Sequence, residues 1–122
     1  MGRRKLPKWF RLELDLLQRL RRIFKNVYYQ YPLAIKDEET HRIFIHKIDY
    51  VVEYKGERIA IELDGEIHRR SKRQINKTEW RNRNILRHYD KLVIVDAWEY
   101  NIDPEKTFQK LLKEIRGDDS EG

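Results

Sequence analysis

The sequence predicts an α/β domain in which helices flank a mixed central sheet. Apolar residues recur at helical spacing near both ends of the chain, in residues 8–25 and again after Pro104. Between these ends lie four segments rich in β-branched and aromatic residues, with a basic helical segment before the fourth. The resulting order is α-β-β-β-α-β-α, and a sheet covered by helices on both sides is the natural way to bury these apolar faces.

The first half of the chain is expected to form one helix and two strands. Residues 27–33 include three tyrosines and are typical of a short strand, whereas the polar residues 36–40 predict a turn. Residues 41–54 are rich in Ile and Val and predict a long second strand. The helix over residues 8–25 rests on an apolar stripe formed by Trp9, Phe10, Leu16, Leu17, Leu20 and Phe24.

The second half begins with a tight turn at Lys55-Gly56-Glu57, because glycine readily adopts the positive φ that short hairpin turns require. Residues 58–64 predict the third strand. Residues 71–89 then predict a basic helix, and the strongly apolar Leu92–Asp96 predicts the fourth strand.

A chain of 122 residues suffices for one domain with a modest core. Residues 1–122 are therefore predicted to form a single domain with its core over about 8–115. Pro104 suits the first turn of the last helix, and the acidic tail over 117–122 is expected to fray.

The composition of the chain favours some classes of function and excludes others. The net charge of +6 and the sequence pI of about 9.5 favour a polyanionic partner, most simply nucleic acid. The absence of cysteine excludes disulfides, thiolate zinc sites and cysteine nucleophiles. No apolar run approaches the ~18 residues of a membrane span, and the basic N-terminus lacks the apolar stretch of a secretory signal. We expect a cytoplasmic, DNA-associated protein that does not enter a membrane.

Basic charge is concentrated in two segments, residues 1–25 and 69–91, on either side of an acidic stretch at 26–68. Such segments would hold the phosphates of a nucleic acid on both sides of the acidic stretch. The alternative is that both are ordinary solvated helix faces. The candidate nucleic-acid-binding residues in the second segment are Arg69, Arg70, Lys72, Arg73, Lys77, Arg81 and Arg83.

Three carboxylates are predicted to meet on the central hairpin. Glu62 and Asp64 share a strand face because strand side chains alternate, and hairpin pairing places Asp49 roughly opposite Glu62. Crowded carboxylates repel each other unless a cation lies between them, and Mg²⁺ prefers oxygen ligands. The alternative is a set of exposed acids, but Asp49 lies in mid-strand, where Asp is disfavoured. The pattern favours a metal site.

Two further residues are catalytic candidates. Glu13 lies at the centre of the apolar stripe of the first helix, where a carboxylate is costly unless it is paired or near a metal. It either belongs to the active site or lies at the edge of the core. His68 follows Asp64 by four residues and suits proton transfer or phosphate binding, or it joins the basic face. His41 and His46 have opposite parity, so they are not expected to bind one metal together.

These residues resemble a known pattern. A mid-strand acid in Asp49-Tyr50-Val51-Val52, followed on the next strand by the segment Glu62 to His68 (ELDGEIH), is similar to the PD-(D/E)xK nuclease superfamily. The closer resemblance is to the small very-short-patch-repair-like endonucleases. Asn82-Arg83 and Trp98-Glu99 look like those enzymes as well, and the similarity covers about residues 8–115. It implies a restriction-endonuclease-like αβββαβ core.

The resemblance also implies roles. Asp49, Glu62 and the backbone carbonyl of Leu63 would bind Mg²⁺, which Mn²⁺ would replace, and Glu13 matches an acid often found on the first helix. The lysine that usually completes the motif is Asp64 here. His68, Lys72 and Lys77 are candidates to replace it, and Asp64 as a ligand of a second metal is another solution.

The predicted function is that of a Mg²⁺-dependent DNA endonuclease that hydrolyses phosphodiester bonds. A chain this small has little room for a separate recognition module, so three solutions stay open: recognition of a DNA structure such as a mismatch, a homodimer, or a protein partner. The alternatives are a non-catalytic nucleic-acid-binding module on a nuclease fold and a subunit of a larger nucleoprotein machine. RNA also remains open as the substrate.

Overall fold

A computed structural model describes residues 8–67 and 70–117. The described elements confirm the predicted order and add one short helix, α3, that the sequence did not predict. They are α1 (Lys8–Ile23), β1 (Val27–Lys36), β2 (Ile43–Tyr54), β3 (Glu57–Asp64), α2 (Lys72–Leu86), β4 (Lys91–Asp96), α3 (Ala97–Ile102) and α4 (Pro104–Arg116).

The four strands form one mixed sheet in the order β1-β2-β3-β4. The first three are antiparallel neighbours, and β4 lies parallel to β3 after the crossover through α2. The predicted turn between β2 and β3 is confirmed. Its central residues Lys55 and Gly56 have φ angles of 49° and 79°, the double positive φ of a two-residue hairpin turn that follows the twist of the strands.

Helices cover both faces of this sheet, as predicted. The larger core lies under α1, α3 and α4, and Ile59, Ile61 and Leu63 of β3 project into it. On the opposite face, Ala60 packs with Ile85 of α2 in a smaller cluster. The described residues therefore form a single small α/β domain in which successive residues of β3 serve two different cores.

Helix α1 is anchored by Leu16, Leu17 and Leu20, which are all buried in the larger core. Trp9 and Phe10 belong to the same predicted stripe but remain partly exposed, at 41% and 37%. The apolar stripe thus predicted the helix correctly, but fewer of its residues are buried than the pattern indicates.

Side-chain caps set the starts of α2 and α3. Ser71 and Gln74 form a reciprocal capping box at the start of α2, which satisfies two of the free N–H groups at this end. Asp96 caps α3 by accepting a hydrogen bond from the backbone N–H of Trp98 at 2.9 Å. The last residue of β4 therefore also begins the next helix, with no loop between them.

Within the described ranges, every helix is too short or too polar to cross a lipid bilayer.

Candidate active site

The side-chain alternation of β2 breaks at Asp49. Ile48 and Val51 pack in the smaller cluster, whereas Tyr50 lies in the larger core on the other face. The ladder between β1 and β2 pairs residues on both sides of this point but leaves Gln30 and Asp49 unpaired with each other. Gln30 has a φ of 55°. A non-glycine residue with positive φ is uncommon and marks a local distortion of the strand. Both strands therefore change face at the Gln30–Asp49 position.

Strands β2 and β3 separate at the same place, and Asp49 lies between them. Their ladder extends only as far as Tyr50 and Ile61. Beyond it, Asp49 Oδ2 accepts a hydrogen bond from the backbone N–H of Leu63 at 2.8 Å. The backbone N–H of Asp49 in turn lies 3.5 Å from Glu62 Oε2. The predicted proximity of Asp49 and Glu62 is present, but a side chain holds the separated strands together where ladder bonds end.

The electrostatics of this pair are unfavourable without a cation. Glu62 is only 7% exposed. Burial is the main cause that raises the pKa of Asp49 from 3.8 to about 7, and the nearby negative charge of Glu62 is the second. The hydrogen bond from Leu63 opposes this rise, and the charge of Glu13 adds to it. A proton or another cation therefore favours the folded arrangement of the two carboxylates.

His46 is a site residue that the sequence interpretation missed. Its Nε2 lies 2.5 Å from Glu62 Oε1. Unbroken alternation along β2 would place His46 on the opposite face from Glu62, because Tyr50 pairs with Ile61. The break at Asp49 returns His46 to the face of Glu62. The sequence carried no signal for this contact beyond the presence of a histidine on the right strand.

Asp64 is engaged by a cation from its own chain. Its Oδ2 accepts a hydrogen bond from Nη2 of Arg70, and its Oδ1 accepts one from the backbone N–H of Glu66 at 2.9 Å. The guanidinium and the carboxylate are both mostly buried. Asp64 thus differs from Asp49, because its negative charge is compensated within the protein.

Glu13 is buried, with 8% of its surface exposed, but it lies behind the carboxylate pair. Its Oε2 accepts a hydrogen bond from the hydroxyl of Tyr29 at 3.0 Å, and its backbone carbonyl accepts one from the hydroxyl of Tyr50 at 2.6 Å. Burial, followed by the hydrogen bond to Glu13, raises the pKa of Tyr29. Within the described residues, the carboxylate of Glu13 therefore has a neutral hydroxyl as its hydrogen-bond donor, and the second tyrosine binds only its backbone.

A cleft of about 680 Å³ opens over the carboxylates, between the edge of the sheet and α2. We call it the carboxylate cleft; its lining includes His46, Asp49, Glu62, Leu63, Asp64, Arg70, Lys77 and Arg81. The sheet side of the cleft carries the carboxylates together with Lys47, and the α2 side carries Lys77 and Arg81 together with Glu79. Arg81 Nε is buried and makes no hydrogen bond within residues 8–67 and 70–117. Such a donor is costly unless a bound group accepts its hydrogen bond.

The predicted nucleic-acid-binding residues that the structure describes lie in three places. Arg70, Lys77 and Arg81 line the carboxylate cleft. Arg83 lines a neighbouring cleft between α2 and the β1–β2 hairpin, which Lys77 and Arg81 also border. Lys72 and Arg73 are exposed on the first turn of α2, outside the lining of both clefts. His68 and Arg69 lie outside the described residues, so their predicted roles stay predictions.

The part of the chain that the structure describes contains no group of three His, Asp or Glu side chains placed to hold one metal ion. The predicted ligands Asp49, Glu62 and Leu63 do lie together in the cleft. An ion there would need water or substrate oxygens to complete its ligation, which is the usual arrangement for Mg²⁺.

No family model, curated protein or solved structure matches this chain.

Proposed function

We propose that this protein is a metal-dependent DNA endonuclease and that the segment from α1 to β4 is a restriction-endonuclease-like core. The observation that carries the proposal is the Asp49–Glu62 pair. Two mostly buried carboxylates lie together, with the pKa of Asp49 raised to about 7, and face Lys77 and Arg81 of α2 across one cleft. Perturbed acids in a cleft are typical of functional sites, and this combination suits a phosphodiester.

The donor set fits Mg²⁺. This ion is usually held by one or two carboxylates, several waters and substrate phosphate oxygens. Asp49 and Glu62 supply the two carboxylates, and the repulsion between them is the feature that a divalent ion relieves. When bound, Mg²⁺ would supply a water of lowered pKa and charge stabilisation at the phosphate.

The residues of this chain then have separate tasks. The Leu63 N–H fixes one oxygen of Asp49, and His46 fixes one oxygen of Glu62. Both carboxylates are thereby oriented before a substrate arrives, which removes a reorganisation cost from the reaction.

Basic residues of α2 would position the phosphates. Lys72 and Lys77 are the two described candidates to replace the motif lysine. Lys77 lines the carboxylate cleft and Lys72 does not, so Lys77 is the better placed of the two. Arg81 lines the same cleft, and its guanidinium would donate to a phosphate oxygen. Contacts of this kind orient the backbone without reading its sequence.

The test is nicking of supercoiled plasmid and cleavage of a branched DNA in Mg²⁺, Mn²⁺ or EDTA. We expect metal-dependent cleavage by the wild type and its loss in Glu62→Ala. Glu57→Ala is the matched control, because Glu57 lies on the same strand but is exposed at its other end. Equal activity of the two variants, or cleavage that persists in EDTA, would refute the assignment of the site.

A non-catalytic nucleic-acid-binding module is the second candidate. The observation that favours it is the Asp64–Arg70 pair, which stands where the resemblance leads one to expect a lysine. In the same experiment this candidate predicts DNA binding without cleavage in any metal, and binding that is retained in Asp49→Ala.

A further inference from the structure

Two tryptophans lie half-exposed against one glycine at the end of β3. Trp98 Nε1 donates a hydrogen bond to the backbone carbonyl of Gly65 at 2.7 Å. A Cβ atom at Gly65 would lie 2.2 Å from a ring carbon of Trp9, so only glycine permits this approach. The two side chains remain 41% and 49% exposed, for Trp9 and Trp98 respectively. Two large aromatic surfaces are therefore held in place without being buried in a core.

The rings border a cleft of about 500 Å³, which we call the indole cleft; it is lined by Lys8, Trp9, Leu12, Leu63, Asp64, Gly65, Glu66, Ala97, Trp98 and Asn101. Leu12 and Ala97 add apolar surface to the two rings, Lys8 and Asn101 add a cation and an amide, and Asp64 and Glu66 add carboxylates. This volume suits a small ring system. An apolar site with an amide at its margin matches a flat heteroaromatic ring that carries polar groups on its edge, as a nucleobase does.

The indole cleft adjoins the carboxylate cleft. Leu63, Asp64 and Glu66 line both of them. A strand whose phosphate lies at Asp49 and Glu62 would therefore bring a neighbouring nucleotide to the two tryptophans. The net charge of +6 and the ammonium of Lys8 favour such a polyanion over an uncharged apolar ligand. Of the two carboxylates in the lining, Asp64 is paired with Arg70, which leaves Glu66 as the acid opposing Lys8.

We infer that the indole cleft binds an unpaired nucleobase of the strand held at the carboxylate cleft. The inference rests on the proposed function and specifies its substrate class, namely DNA with an unpaired base beside the scissile phosphate. A base inside a duplex has both faces covered by its neighbours, so it reaches an aromatic surface only when it is unstacked. Fully paired DNA would engage the basic residues but not the tryptophans.

The experiment measures binding without cleavage, in EDTA and in a Glu62→Ala background, by fluorescence anisotropy. Three labelled DNAs are compared: a blunt duplex, the same duplex with a short single-stranded extension, and that extension without its bases. We expect the extension to strengthen binding and the removal of its bases to abolish the gain. Trp9→Leu and Trp98→Ala are expected to weaken binding of the extended DNA about 5- to 100-fold and to leave the blunt duplex unchanged.

Trp80→Leu is the matched control. Trp80 lies on α2 in the cleft between α2 and the β1–β2 hairpin, with its ring 6.3 Å from that of Phe44. It should leave the preference for the extended DNA intact. Trp98→Phe keeps an aromatic face but removes the N–H that binds Gly65, so it should retain more of the preference than Trp98→Ala. If Trp98→Ala does not fold, Trp9→Leu and Trp98→Phe still decide the question through the ratio of the two dissociation constants.

The failure of this inference is distinguishable from that of the proposed function. Metal-dependent cleavage with no dependence of binding on Trp9 or Trp98 overturns the inference alone. Base-dependent binding that both tryptophan variants lose, without cleavage by the wild type in any metal, overturns the nuclease and leaves the base site standing. Equal loss on blunt and extended DNA overturns the inference, because it shows a general effect on phosphate binding.

Discussion

Glu13 and the Asp49–Glu62 pair are both buried acids, yet they have opposite surroundings. A tyrosine hydroxyl donates to one oxygen of Glu13, which does not line the carboxylate cleft. Asp49 and Glu62 lie beside each other, and the pKa of Asp49 rises to about 7. Both acids of the pair also have donors, the Leu63 N–H for Asp49 and His46 for Glu62. What separates them from Glu13 is that they crowd a second carboxylate and line a cleft, which makes them the stronger candidates for a functional site.

The largest expected effect is on cleavage by Asp49→Asn. This substitution keeps the size of the side chain but removes a carboxylate from the proposed ion site, so we expect cleavage to fall at least about 100-fold. Gel-based nicking rates at saturating Mg²⁺ measure the effect. If this variant cleaved DNA at the wild-type rate, Asp49 would not belong to the site and would not differ from Glu13 in its role.

The second effect is on stability in the presence of Mg²⁺. Binding of Mg²⁺ to the folded state alone would raise the free energy of unfolding by about 2.7 kcal/mol when its concentration is 100 times the dissociation constant. Thermal denaturation with and without Mg²⁺ measures this gain. Glu62→Gln should lose it and Glu13→Gln should keep it; an equal gain in both variants would contradict the assignment of the ion to the pair.

The third effect is a pH dependence in EDTA. The pKa of Asp49 is raised in the folded state from 3.8 to about 7, so the folded state favours its protonated form. Its contribution to stability is therefore fully present below pH 4 and is lost as the pH rises through 7. A rise of this size corresponds to about 4 kcal/mol in full. Because Asp49 is only partly buried, solvent screening reduces the loss expected for the wild type between pH 4 and pH 8, relative to Asp49→Asn, to on the order of 2 kcal/mol. Urea denaturation across this range would show no relative change if Asp49 titrated normally.

The smallest effect is expected for Glu13→Gln. The amide oxygen can still accept the hydrogen bond from Tyr29, so the change should cost about 1 kcal/mol or less and leave most of the cleavage activity. Tyr29→Phe should cost more, because it leaves a buried carboxylate without its donor. A loss of activity in Glu13→Gln as large as that in Asp49→Asn would instead support the sequence-based prediction that Glu13 is catalytic.

The sequence predicted most of the elements because their patterns are local. The apolar stripe of α1, the turn at Gly56 and the β-branched strands each follow from neighbouring residues. α3 was missed, since its start depends on the cap that Asp96 provides directly after β4. The six residues that follow are too few to show a helical periodicity.

The site was predicted less completely than the fold. Asp49 and Glu62 were expected together and are together, but regular alternation along β2 was assumed. The break at Asp49 depends on the positive φ of Gln30 on a neighbouring strand, which no local pattern in β2 reveals. It places His46 against Glu62. The Asp64–Arg70 pair was missed for a similar reason, because it depends on how the chain returns from β3 to α2.

The end of the ladder between β2 and β3 also has a kinetic consequence. Glu62, Leu63 and Asp64 lie beyond that ladder and pair with Ile94, Val95 and Asp96 of β4. The first three strands can associate through sequential hairpins, whereas β4 must wait until the whole crossover has closed. The strand segment that carries the carboxylates is therefore fixed only when the last strand docks. During refolding, we expect the cleft to assemble as a late event, after most of the β-sheet has formed.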